Sequence, residues 1–224
     1  MAPHPRLIQE YKRMADESRE IFAERRFKFE QQYGKRVFGI SIQIPLPSHI
    51  QELIKSLQTE LLALEPNHLV LQEPAAAHMT VIPVVLWKGA YDRPNEDIWN
   101  EIAEECLHTF REMGKSFAPI QIHFRQVIAN QSAVFLCAYD DNDLFHDMRQ
   151  KLFSTLPIPN GTPNKNTVIH SVITRYAQPL EHPDAILQWT ENKVLDVPMT
   201  IDRVELRKEL QYPALKTEVL AAWG

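Results

Sequence analysis

Cysteine is scarce in this chain. The 224 residues hold two thiols, Cys106 in a helical pattern and Cys137 in a strand pattern, both among apolar neighbours. That argues against a disulfide framework and reads as a pair of buried thiols in a reducing compartment. Nine histidines are present, yet no His-x-x-x-His or Cys-x-x-Cys spacing occurs, so no metal is implied. Positive charge is also lacking: 24 basic residues stand against 29 acidic ones, a formal net charge of -5. A protein that grips long nucleic acid by its phosphates carries a basic field, and the total shows none. No apolar run approaches the length of a membrane span, and the opening MAPHPRLIQEYKRM has no apolar stretch behind a basic one. Cytoplasmic residence is therefore the expectation. No GxGxxG or P-loop accompanies any strand-like segment, which argues against a dinucleotide or nucleoside-triphosphate site.

What is present is an ordinary globular balance, 44% apolar and 24% charged, on a chain long enough for one large domain or two small lobes. The spacing of Ile8, Tyr11, Ala15, Phe22 and Phe29 predicts an amphipathic helix over residues 6–32, ended by Gly34. Its polar face mixes acids and bases, so it reads as a packing element or dimer contact. A change of period at 37–45 predicts a strand. Ser48 and Gln51 then suggest a capping box before a helix whose face is Leu53, Leu57, Leu61 and Leu64. A strand over 78–86, a helix from Pro94 to Gly114, and a hairpin of 120–128 with 133–139 follow. Next come a helix over 143–154, a Pro- and Asn-rich loop over 157–166, a strand over 168–174 and a short helix from Pro183. Two strands, near 200–206 and 217–222, close the pattern. The order strand, helix, histidine-bearing strand occurs twice, a weak internal duplication. These alternations favour an α+β arrangement with mixed or antiparallel sheets over a doubly wound one.

The two histidine strands carry the chemistry. Alternation puts His78, Thr80 and Ile82 on one face of the first, and Val168, His170, Val172 and Thr174 on one face of the second. Two imidazoles with ordinary pKa values near ~6.5 suit a reaction that removes a proton on one side and delivers one on the other. Opening a 2′,3′-cyclic phosphodiester is such a reaction, and a hydroxyl two places along the strand is placed to bind a phosphate oxygen.

The paired motifs His78-Met79-Thr80-Val81 and His170-Ser171-Val172-Ile173, with the duplicated order around them, resemble the 2H phosphoesterase superfamily. That group includes RNA 2′,3′-cyclic phosphodiesterases and 2′-5′ RNA ligase-like proteins, and the added N-terminal helix is similar to an uncharacterised bacterial branch. The resemblance implies a two-lobed fold around a central cleft over residues 37–224, with 1–36 as an N-terminal helical extension. It implies His78 and His170 as an acid–base pair, Thr80 as the phosphate-binding hydroxyl, no cofactor, and a small nucleotide-like or RNA-end substrate. His-x-Ser/Thr is met in full at His78, but Val172 stands where the second hydroxyl belongs. Thr174 lies about 13 Å along an extended strand from His170, and Ser171 points to the other face unless a bulge intervenes. Arg175 or Tyr176 takes up the phosphate if the strand end turns into the groove; Arg175 is the better phosphate ligand. Trp87, Tyr176 and His123 are the candidate base or rim contacts, and Lys165 either meets a phosphate or faces water. Trp99, Trp189 and Trp223 read as core or interface anchors. Two other readings stand beside the enzyme. One is a noncatalytic nucleotide- or phosphate-binding module that keeps the cleft; the other is a structural protein whose histidines bond backbone carbonyls.

Overall fold

The computed structural model describes residues 4–89, 91–163 and 167–224. Nine strands form one sheet in the order β7 (Val194–Ile201), β4 (Ile120–Ala129), β5 (Ala133–Tyr139), β6 (Ile169–Tyr176), β3 (His78–Val85), β1 (Arg36–Pro45), β8 (Val204–Gln211) and β9 (Lys216–Trp223), with the short β2 (Leu69–Leu71) paired to β6. Every pairing is antiparallel. The sheet is two half-sheets, β7-β4-β5-β6 and β3-β1-β8-β9. They meet at a seam between β3 and β6 where one register pair, Met79 with Ser171, is made. This is the two-lobed α+β fold, and the two histidine strands are its inner edges.

Among the described residues five α-helices complete it: α1 (Pro5–Ala23), α2 (Ser48–Leu64), α3 (Asn95–Gly114), α4 (Leu144–Thr155) and α5 (Pro183–Asn192). Helix α2 packs on β6, α4 on β3, and α1 and α5 on β4. Each forms on an apolar stripe. In α2 the buried apolar residues are Ile50, Ile54, Leu57 and Leu61, a stripe turned slightly from the expected one, with Leu53 and Leu64 only partly covered. The capping box is not made. Pro47 occupies the cap position, and Gln51 donates back to the Leu46 carbonyl at 2.7 Å. Among the described residues, no helix is long and apolar enough to cross a membrane.

The first helix is shorter than its periodicity predicts. It ends at Ala23, where Arg25 takes a left-handed conformation (φ 54°) and the Arg26 amide reaches back to the Ile21 carbonyl. The chain then runs extended, its Lys28 and Glu30 amides donating to the Gln131 and Tyr176 carbonyls. Turning there lets Phe22 and Phe27 both pack edge-on against Tyr176, which a continuous helix would prevent. The N-terminal segment is thus built into the second lobe. The buried Tyr11 hydroxyl lies 2.7 Å from the Ala138 carbonyl and 2.6 Å from that of Ile169, and it accepts the Ile169 amide.

Candidate active site

Both histidine strands carry a bulge at the last residue of the motif, and the bulges decide what faces the cleft. Along β3, Thr80 pairs with Gln43 and Ile82 with Ile42, so Val81 is the extra residue. Along β6, Val172 pairs with Phe135 and Thr174 with Val134, so Ile173 is the extra residue. Each falls three places after its histidine. One extra residue inverts the alternation beyond it. Pro83 therefore lines the cleft in place of Ile82, and Arg175 lines it in place of Thr174. Thr174 turns inward, fully buried, and donates to the Val70 carbonyl at 2.9 Å. The duplication legible in the motifs thus extends to backbone irregularities that no residue identity marks.

Across the seam, His78, Thr80, His170 and Val172 border one cleft of about 300 Å³. Counting outward from the Met79–Ser171 pair sets the histidines diagonally across the seam, their backbones about 7–8 Å apart. The His78 Nδ1 lies 3.0 Å from the Ala76 carbonyl. A carbonyl only accepts, so Nδ1 bears the proton and a neutral His78 keeps its lone pair on Nε2. The His170 ring stands edge-on to Phe135, with centroids 4.9 Å apart. Among the described residues no hydrogen bond engages its nitrogens or the Thr80 hydroxyl.

Burial lowers the pKa of both rings, against different surroundings. At His78 it is opposed by the Ala76 carbonyl and the carboxylate of Glu209, while Arg207 and Arg175 add to it. At His170 nothing opposes it. Burial, then the cations Arg149 and Arg175 and the neighbouring His78, press its pKa to about 4. Arg149 is itself buried, its pKa pushed down to about 10 by desolvation. Its guanidinium donates to the Val81, Thr80 and Val168 carbonyls at 2.8, 3.3 and 3.1 Å, pinning the two histidine strands together where the ladder between them is thin.

Arg175 reaches the cleft held from behind. Its Nε lies 3.4 Å from Glu30, it donates to Gln72 Oε1 at 3.3 Å, and it sits over the Tyr212 ring at 5.3 Å. Trp87 lines the same cleft and packs against Tyr212, ring centroids 4.7 Å apart. Two expectations are corrected. Tyr176 is fully buried in the core, because the bulge at Ile173 sends it inward with Thr174, and it is no rim contact; the aromatic partner of Trp87 is Tyr212. His123 does not line the cleft, since it lies on β4, away from the seam, and pairs with Asp196 at 3.0 Å. Lys165 lies outside the described residues.

Glu30, Gln72, Arg149, Glu209 and Tyr212 were missed by sequence reasoning. Each arrives through tertiary pairing and sits in no local motif. Elsewhere, Glu65, His68 and Glu181 approach closely enough to hold a cation. The Glu65 carboxylate, however, accepts the Glu181 and His182 amides at 2.9 and 2.7 Å just ahead of α5, and lies 2.8 Å from His68, so it already serves as the entry to that helix. None of the three lines the cleft.

No family model and no curated protein matches the chain. Solved structures do. The conserved protein of unknown function ATU0111 from Agrobacterium tumefaciens C58 superposes with a TM-score of 0.60 at 13% identity, over 88% of this chain and 89% of that one. TT0787 of Thermus thermophilus gives 0.59 at 14%, over 83% and 96%. E. coli LigT, complexed with 3′-AMP, gives 0.51 at 9%, over 84% and 98%. At these identities the likeness establishes the fold alone: the chain shares the two-lobed α+β architecture of these three proteins.

Proposed function

We propose that the chain is a metal-independent phosphodiesterase acting on a small 2′,3′-cyclic nucleotide phosphate or a related 2′-5′ linkage. The observation that carries this reading is the seam. It sets two imidazoles diagonally across one cleft that Thr80 and Arg175 also line.

The unequal environments divide the labour. His170, with its pKa near 4, is neutral through the physiological range and is the base that takes a proton from the attacking water. His78, whose protonated ring is favoured by Glu209 and whose Nδ1–H is anchored on Ala76, is the acid that protonates the leaving ribose oxygen. A bound phosphate monoanion adds negative charge between the rings and draws the acid upward. Thr80 donates to one non-bridging oxygen. Arg175 supplies the second contact that Val172 cannot make, and Trp87 with Tyr212 offers aromatic surface to a base.

The test is the pH dependence of kcat/KM for 2′,3′-cyclic AMP, with and without a chelator. The scheme requires a bell. Activity falls as pH drops through about 4 and His170 takes up a proton. It also falls as pH rises past the His78 titration, which lies below 6.5. Chelation leaves both limbs in place. Activity rising steadily towards alkaline pH, or abolished by the chelator, would remove the two-histidine scheme. A noncatalytic binding module predicts no turnover at any pH.

A further inference from the structure

The cleft that faces the proposed phosphate is not basic. Among the described side chains that line it, two carry formal charge, Arg175 and Glu209. Arg175 is already matched by Glu30. Glu209 is held by neutral donors: its Oε1 accepts the Ser41 hydroxyl at 2.6 Å and the Gln43 amide at 2.8 Å. Ser41 and Gln43 are buried and bonded to each other, so this carboxylate is fixed to the floor by a built network. Among the described residues no cation pairs with it. Arg207, two places before it on β8, is engaged by Glu205 at 2.5 Å, and Lys208 sits over Phe38. The field of Glu209 reaches the His78 ring, where the fields of Arg207 and Arg175 act against it.

A fixed carboxylate beside an anion site opposes the ligand in proportion to the ligand's charge. Ring opening changes that charge. Water forms a new P–O bond as one P–O bond to ribose breaks; the water's first proton goes to the base and the acid's proton to the ribose oxygen. The remaining proton of the water is left as an acidic P–OH. A cyclic diester carries one negative charge, and a monoester, whose second ionisation lies near pKa ~6, carries about -1.5 to -2 at pH 7.

The geometry points to Glu209 as a charge filter that admits singly charged phosphodiesters and expels doubly charged phosphomonoesters, the product of the reaction among them. This rests on the phosphodiesterase reading and narrows its substrate class: terminal phosphomonoesters and nucleoside triphosphates are excluded as ligands.

The test is calorimetric binding at pH 7.5 to protein silenced by His170→Ala, with and without Glu209→Gln. The ligands are 2′,3′-cyclic AMP, 3′-AMP, and the acyclic methyl ester of 3′-AMP, which has one charge and no ring. The filter predicts that both diesters bind on the order of tenfold tighter than 3′-AMP. Glu209→Gln should tighten 3′-AMP by about that factor relative to the diesters and erase the preference, while Glu209→Asp keeps it. The methyl ester needs no second mutation, so the inference remains testable if Glu209→Gln folds poorly. Overturning results are a 3′-AMP affinity equal to or above that of the diesters, or a preference that survives Glu209→Gln. Binding discrimination without hydrolysis of any cyclic nucleotide by the wild type would sink the enzyme and leave the filter standing. Hydrolysis without discrimination would do the reverse.

Discussion

The pressure on His170 has a consequence for stability that can be read without any substrate. The ring is desolvated and flanked by Arg149, His78 and Arg175, and its pKa falls from 6.5 to about 4 on folding. Because the folded value is depressed, the unfolded chain binds the proton first. The contribution is whole above pH 6.5 and is lost as pH falls towards 4, so stability rises with pH across that window. With those two values, folding at about pH 4.5 gives up about 2.5 kcal/mol relative to pH 7 on account of this ring alone. Carboxylates also titrate in this range, so the clean comparison is wild type against His170→Gln, a substitution of similar polarity that cannot take up the proton. Urea unfolding at pH 7 and about pH 4.5 gives the four free energies needed. The loss between the two pH values should be about 2 to 3 kcal/mol smaller in the variant than in the wild type. Parallel losses, within about 0.5 kcal/mol of each other, would show that the ring is not depressed, and would withdraw its assignment as the base along with the argument from burial.

Other perturbations address the frame around the pair. Arg149→Met removes a buried guanidinium and leaves the Thr80, Val81 and Val168 carbonyls without that donor; the expected cost is about 3–5 kcal/mol by urea unfolding, and a cost below about 1 kcal/mol would deny it the role of clamp. Arg175→Ala should lower kcat/KM for a cyclic nucleotide by about 100-fold, within the range for one lost oxyanion donor, with little change in Tm. Glu30→Ala should weaken activity by roughly tenfold through loss of Arg175 placement, with Glu30→Gln intermediate; full activity in Glu30→Ala would make the Glu30 contact merely structural.

Much of this architecture is legible in local pattern. The helices from Pro94 and Pro183, the hairpin of β4 and β5, and the histidine strands all follow from apolar period and from Pro or Gly at their ends, because each needs only its own residues to form. The motif half-sites are legible for the same reason. What escapes is set at a distance. Strict alternation put Ile82 and Thr174 on the histidine face, and the unpaired Val81 and Ile173 reverse it; only the partner strand reveals a residue with nothing opposite. The end of α1 is hidden likewise, since Phe29 continues the helical spacing but Phe27 is needed against Tyr176. The last stretch reads as two strands where there are three, because the break at Asp202 and Arg203 lacks glycine and proline while β7 and β8 join opposite lobes. Arg149 looks like one more polar residue on a helix, yet it is buried at the seam.

The central claim is that two imidazoles act on one phosphorus from opposite sides, and hydrolysis of the four 2′,3′-cyclic nucleotides and a 2′-5′ linked dinucleotide by wild type, His78→Ala and His170→Ala tests it most directly. The account predicts turnover of at least one of these by the wild type and a fall of about 100-fold or more in kcat with either substitution, both variants remaining folded. Equal activity in all three proteins, or loss in one variant with full activity in the other, would contradict it.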